Sequence, residues 1–119
     1  MTVTRTSLLT AADDRCIVIT WSGLLTTDLG EAAQMGRFYD LTVQVIGTFG
    51  SGGTVQIKGS NDGGTTWGRL HDRQGVLISI GDSNPIALQD APALIRPDII
   101  SGDGTTSLKV AIAGAIRSF

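Results

Sequence analysis

A chain of 119 residues fits one domain, and that length buries enough surface to fold without disulfide or metal staples. Charged residues make up only 17%, glycine reaches 16 residues and the formal net charge is −2, which argues against a helical bundle, whose outer faces need Glu, Lys and Arg. Disorder is excluded by the low charge and many β-branched residues, and seven scattered arginines with two lysines, Lys58 and Lys109, offer no cluster for nucleic-acid phosphates.

In chain order, residues 1–14 are polar and Thr-rich with a short apolar patch at Leu8-Leu9, and they read as an N-terminal arm or a frayed first segment ahead of a domain spanning residues 15–119. Residues 15–21 are dense in β-branched side chains, with Ile17, Ile19 and Trp21 on one face of a strand. Residues 22–37 are punctuated by Gly23, Gly30 and Gly36; they read as a crossover between two sheets, with a helical turn or two over 28–35 as the alternative. Residues 38–49 carry the strongest strand signal: Leu41, Val43 and Val45 point one way while Thr42 and Gln44 point the other. After a Gly-rich turn at 50–53, residues 54–60 alternate again, with Val55 and Ile57 inside. The two strands read as an antiparallel hairpin.

A second turn follows at residues 61–64. Residues 76–80 predict a strand with Val76, Ile78 and Ile80 on one face. Residues 82–85 are turn chemistry, and residues 85–89 suit a short edge strand. Residues 94–100 are apolar but contain Pro97, which predicts an edge strand or a bulge. Gly102-Asp103-Gly104 turns the chain, and Leu108, Val110 and Ile112 define a closing strand. About eight short strands separated by turns predict an all-β fold, a single antiparallel β-sandwich of jelly-roll type, with a closed barrel as the rival.

Catalytic residues are scarce. One histidine, His71, and one cysteine, Cys16, are too few for a zinc site, and a lone cysteine in an apolar run reads as a buried thiol. No local signature selects a serine or aspartate to partner His71 in a hydrolase triad, so His71 reads as a solvated residue near a strand end. Ten of the eleven acids are Asp, mostly beside Gly, Ser or Asn in turns, where the carboxylate bonds its own backbone. The glycines of residues 47–53 lack the Lys-Ser/Thr pair and following helix of a phosphate loop. The expectation is a non-enzymatic chain with no catalytic residue, cofactor or metal. No apolar stretch is long enough for a membrane span, and the start lacks the pattern of a signal peptide, so synthesis in a cytoplasm is expected, followed by retention there or release by lysis.

One motif is specific. Ser60-Asn61-Asp62-Gly63-Gly64-Thr65-Thr66-Trp67 matches the S-x-D-x-G-x-T-W pattern known as the Asp-box. Asp62 is placed to accept hydrogen bonds from turn amides, Gly64 to take positive φ, Ser60 and Thr66 to bridge strand ends, and Trp67 to pack beneath the hairpin. In sialidases this motif repeats on propeller blades, away from the catalytic centre. Here it occurs once, in a chain too short for such a propeller, so it reads as a hairpin device.

The stretch from Tyr39 to Gly50, followed by Thr54 to Trp67, resembles small structural proteins of tailed bacteriophages, which share an LTVQV–GTFG…TV–I–GSNDGG–TW core and a closing strand like residues 107–113. The resemblance covers residues 15–113 and brings no catalytic residues. It implies a virion component, a capsid decoration or cement protein that clamps neighbouring major capsid subunits on the outer shell, often as a homotrimer at three-fold positions. Its expected place is the capsid surface after synthesis in the host cytoplasm. Residues 1–14 would then either order over a neighbouring subunit or stay loose. Leu8, Leu9, Ile116 and Phe119 are candidate interface residues. The alternatives are a tail, neck or fibre component, connecting or receptor-binding, and a carbohydrate-binding sandwich. Aromatics at only 5% weaken the sugar reading.

Overall fold

The computed structural model describes residues 2–10, 16–36 and 38–116, with residues 6–10 and 116 described by backbone only. Strands arise where β-branched and apolar residues alternate with polar ones, and turns where Gly, Asp and Asn collect. Eleven strands result among the described residues: β1 (Thr2–Val3), β2 (Arg5–Thr10), β3 (Cys16–Leu24), β4 (Leu29–Gly30), β5 (Ala33–Gln34), β6 (Phe38–Thr48), β7 (Thr54–Ser60), β8 (Gly68–Arg69), β9 (Ile86–Ala87), β10 (Leu94–Ser101) and β11 (Ser107–Ile116). Five are only two residues long, which is why the expected number was lower. No helix occurs among the described residues.

The strands form two sheets. Sheet I runs β1-β4-β10-β7-β8, with β5 also pairing β10; sheet II runs β2-β3-β11-β6-β9. All pairings are antiparallel except β1 with β4. The inward faces of both sheets meet in one apolar cluster, a sandwich-like arrangement. Sheet II supplies Ile19, Trp21, Val43, Val45, Val110 and Ile112, and sheet I supplies Val55, Ile57, Ile95 and Ile99. Each such side chain contributes about 1.5–3 kcal/mol when fully buried. Trp21 crosses the gap between the sheets: its ring is wholly buried, and its Nε1–H donates to the Glu31 carbonyl at 2.9 Å.

Several expectations change in the folded chain. The hairpin expected between β6 and β7 does not form. β6 pairs β11 and β9 in sheet II, while β7 pairs β10 and β8 in sheet I, so residues 49–53 cross between sheets. Alternation says which face of a strand is buried; it does not say which strand lies beside it. Residues 76–80 form no regular strand. Isolated bridges join Leu77 to His71 and Ile80 to Val55; Ile78 and Ile80 are buried, but Val76 is 58% exposed.

Pro97 lies in an interior strand and not at an edge. Its partner on one side is Ile57 of β7; on the other side Ile95 pairs β5 and Asp98 pairs β4. The Ile99 N–H donates to the Asp28 carbonyl, so strand alternation turns the Pro97 nitrogen to that same side, where the neighbouring strand is interrupted between β4 and β5. The missing donor faces the interruption.

Within the expected crossover of residues 22–37, the described residues 22–36 bear it out. They leave sheet II after β3, add β4 and β5 to sheet I, and return as β6. Residues 2–10 of the expected arm are paired strands: β1 joins β4, and β2 lies along β3 from Arg5↔Trp21 to Thr10↔Cys16. The polar, Thr-rich composition that suggested an arm also suits an edge strand, which has one free side. Asp40, at φ 51°, forms a bulge in β6 that sets Phe38 and Leu41 on the same buried face opposite Gly114. A Cβ at Gly114 would stand 2.6 Å from Leu41 Cδ2.

Candidate functional site

The Ser60–Trp67 segment joins β7 to β8, which pair through Lys58↔Arg69 and Gly59↔Gly68. The turn is held by two side chains. Asp62 Oδ1 accepts the N–H groups of Thr65 and Thr66 at 3.1 and 2.9 Å and the Ser60 hydroxyl at 2.7 Å. Ser60 Oγ in turn accepts the Gly64 N–H at 3.0 Å and, more weakly, that of Asp62 at 3.4 Å. The Thr66 N–H, Ser60 and the other donors favour the charged carboxylate and lower its pKa to about 2. Gly63 and Gly64 take positive φ, and Trp67 Nε1–H closes the loop on the Gly64 carbonyl at 2.9 Å. The five residues singled out in the sequence therefore meet in one turn.

Trp67 lies half-buried on the outer side of sheet I, with the Arg96 guanidinium 4.1 Å from its ring centre. Beside it, Lys58 Nζ lies 2.6 Å from Oδ2 of Asp98, a carboxylate whose side chain is 3% exposed. Asn61 Oδ1 accepts the Ala93 N–H, tying this hairpin to the approach of β10. Arg96 and Asp98 were not singled out from sequence. Their alternation on β10 was visible, but their neighbours on β7 were not.

His71 meets Asp90, an acid 19 positions away: Asp90 Oδ2 receives the His71 backbone N–H at 2.7 Å and contacts its ring Nδ1 at 3.0 Å. Burial pushes the Asp90 carboxyl up, but the hydrogen bonds from His71 and its charge together hold it below the ordinary value. Both line a cavity of about 400 Å³ that also includes Ser60, Arg69 and Leu70. Serine, histidine and aspartate thus share one cavity, yet the Ser60 hydroxyl donates its proton to Asp62 and the His71 Nδ1 faces Asp90. A nucleophile–base hydrogen bond is not formed between Ser60 and His71. Among the described residues, no group of three or more His, Cys, Asp or Glu side chains is arranged to hold a metal ion.

The candidate interface residues are placed as follows. Leu8 and Leu9 lie on β2, opposite Val18 and Ile17, and Ile116 ends β11 opposite Phe38. Their side chains, and Phe119 altogether, lie outside the described residues. A second cavity, of about 720 Å³, opens between the sheets near these strands and is lined by Ile17, Ile19, Phe38 and Leu94 among others. Cys16, expected as a buried thiol, is only partly covered.

No protein-family model matches the chain, and no curated protein matches it. Solved structures similar to it include a crystal structure of the SPBc2 prophage-derived protein YomS, with a TM-score of 0.57 and 16% identity over 93% of this chain and 92% of that one. A crystal structure of Drosophila melanogaster CENP-C bound to CAL1 has a TM-score of 0.41 and 11% identity over 87% of this chain and 59% of that one. The likeness to YomS, spanning nearly the whole of both chains, is one of fold.

Proposed function

We propose that this chain is a non-enzymatic structural protein of a bacteriophage particle, and more specifically a capsid decoration protein that binds the outer lattice and bridges neighbouring major capsid subunits. The observation that carries the reading is the fold shared along almost the full length of a prophage-derived protein. It is joined by the virion-protein resemblance over residues 15–113. A rigid two-sheet body whose side-chain carboxylates are largely occupied with turn amides suits a protein that adds to a preformed shell. The commitment of the Ser60 hydroxyl to Asp62, which leaves it unpaired with His71, supports a binding role over a catalytic one.

The jelly-roll path and a homotrimer at three-fold positions belong to the same proposal, as does a site on the virion surface reached after synthesis in the host cytoplasm. In a trimer each contact patch meets a different patch on its neighbour. The carbohydrate reading has less support, because Trp21 is fully buried and the Trp67 ring carries Arg96 over it.

The test is the copy number of this chain in purified virions, by quantitative mass spectrometry against the major capsid protein. Parity with the capsid subunit, or a simple fraction of it, is the expected result. A handful of copies would move the chain to the tail, neck or fibre, and its absence from virions would overturn the reading.

A further inference from the structure

The register of sheet I sets three cations in one row. Lys58 of β7 pairs directly with Arg69 of β8 on one side and with Arg96 of β10 on the other. Residues directly opposite each other across antiparallel strands point to the same face, at strand spacings of about 4.8 Å. The alternate residues Ile57, Gly59 and Ile95 are buried inward, so the row lies on the outer face. Like charges placed opposite one another oppose folding, yet three of the nine basic residues of the chain stand here.

Compensation within the chain is incomplete. Asp98 is the one carboxylate bridged to the row among the described residues: its Oδ2 reaches Lys58, and its Oδ1 lies 3.6 Å from Arg96 Nε. Arg69 Nη2 donates to a neutral acceptor, the Ile78 carbonyl, at 3.2 Å. Three positive charges therefore meet one negative charge. The Nε atoms of Arg69 and Arg96 are buried without a hydrogen bond, and that of Arg96 faces Asp98 Oδ1 at 3.6 Å. The row is short of negative charge: a single carboxylate, Asp98, serves three cations. The Arg96 guanidinium lies 4.1 Å from the Trp67 ring centre, and its side chain is 23% exposed.

We infer that the outer face of β8, β7 and β10, at Arg69, Lys58 and Arg96, is a docking site for carboxylate side chains of an acidic segment of a partner protein. Planar guanidinium forks match carboxylates in bidentate geometry. The row lies across a sheet face and spans two strand spacings, which suits an extended segment carrying several acids more than one small anion, whose sites are concave. A nucleic-acid backbone fits less well, because phosphate tracking needs a broad basic surface and the remaining basic residues of the chain are scattered singly. The inference rests on this face alone and holds wherever in a particle the chain resides. Virion copy number tests the one reading, and the following titration tests the other.

The full chain is titrated with a synthetic hexaglutamate peptide while Trp fluorescence is followed. Trp21 is sealed in the core, so Trp67 reports on the row. The expected result is a saturable change that weakens steeply with added salt. Arg69→Gln and Arg96→Gln should each raise Kd about tenfold or more, with far-UV circular dichroism and the thermal midpoint unchanged as the control for folding. Two substitutions on different strands keep the test valid if one of them disturbs its strand. A saturation curve identical in both variants and the native chain, or no response to hexaglutamate at all, would overturn the inference. So would equal affinity for inorganic sulfate, which would make the row a simple ion site, or tighter binding of a single-stranded oligonucleotide.

Discussion

The backbone N–H of Ser51 donates to Oδ2 of Asp103 at 2.8 Å, joining two turns that lie 52 residues apart in the chain. Both turns carry the chain between sheets: residues 49–53 lead from β6 to β7, and residues 102–106 lead from β10 to β11. Thr106 completes the lashing, since its hydroxyl donates to the Phe49 carbonyl at 2.8 Å and accepts the Asp103 N–H at 2.9 Å. Gly50 makes room for the contact; at φ 71°, a Cβ there would lie 2.3 Å from Asp103 Oδ1.

Asp103 should therefore stabilise the fold in a pH-dependent way. The Thr105 hydroxyl, the Ser51 N–H and the Thr105 N–H favour its charged form and lower its pKa from 3.8 to about 2. A folded-state pKa below the unfolded value means the contribution is present above pH 3.8 and is lost as pH falls toward 2. Asp103→Asn is expected to melt a few degrees below the native chain at neutral pH, with the gap closing across that window. Thermal melts followed by circular dichroism at stepped pH check it, and a gap constant with pH would refute the charge argument.

Asp62 titrates over the same window for a local reason. Its carboxylate gathers the amides of its own turn and the Ser60 hydroxyl. Asp62→Ala should release the turn and expose Trp67 further, seen as a red shift of its fluorescence, while near-UV signals from the buried Trp21 stay in place. The native chain should show the same red shift as pH falls from 3.8 toward 2.

Gly30→Ala tests the contact between the sheets. A Cβ at Gly30 would stand 2.5 Å from Pro97 Cδ and 2.8 Å from Trp21 Cδ1, so a strand or the indole has to shift. Overpacking of this kind costs about 1–3 kcal/mol. Urea denaturation should show a lower midpoint with an unchanged slope.

Lys58→Met probes the buried carboxylate. It removes the close cation from Asp98 and leaves Arg96 at 3.6 Å as the remaining ion-pair partner. Breaking one side of a buried pair costs about 3 kcal/mol or more. The double variant Lys58→Met with Asp98→Leu should recover most of that loss, because both charges leave together. Denaturant melts of the two variants provide the comparison, and equal loss in both would show that the pair itself is not what stabilises this face.

Much of the local structure was legible in the order of residues. The alternation of Leu41, Val43 and Val45, and of Leu108, Val110 and Ile112, marked buried faces, because a strand with one face in the core must repeat every second residue. The Ser60–Trp67 turn was legible in the amide bonds of Asp62 and the positive φ of Gly64, since these lie within four residues of one another, but not in the bond of the Ser60 hydroxyl to Asp62 or of the Trp67 ring to the Gly64 carbonyl. Arg69, Lys58 and Arg96 could each be seen in the sequence, but not as a row. Asp90 beside His71 and Asp103 beside Ser51 were hidden for the same reason of distance along the chain.

By itself, then, the sequence determined an all-β chain, the places where it turns, the buried faces of its longer strands and the turn-amide bonding of one hairpin. These follow from interactions between residues close in the chain, where spacing dictates geometry. Only the tertiary structure decided that β6 and β7 part into different sheets, that Pro97 occupies an interior strand at an interruption of its neighbour, and that three cations line up across sheet I. Backbone hydrogen bonds are alike in every strand, so pairing is chosen by how all the buried faces pack at once.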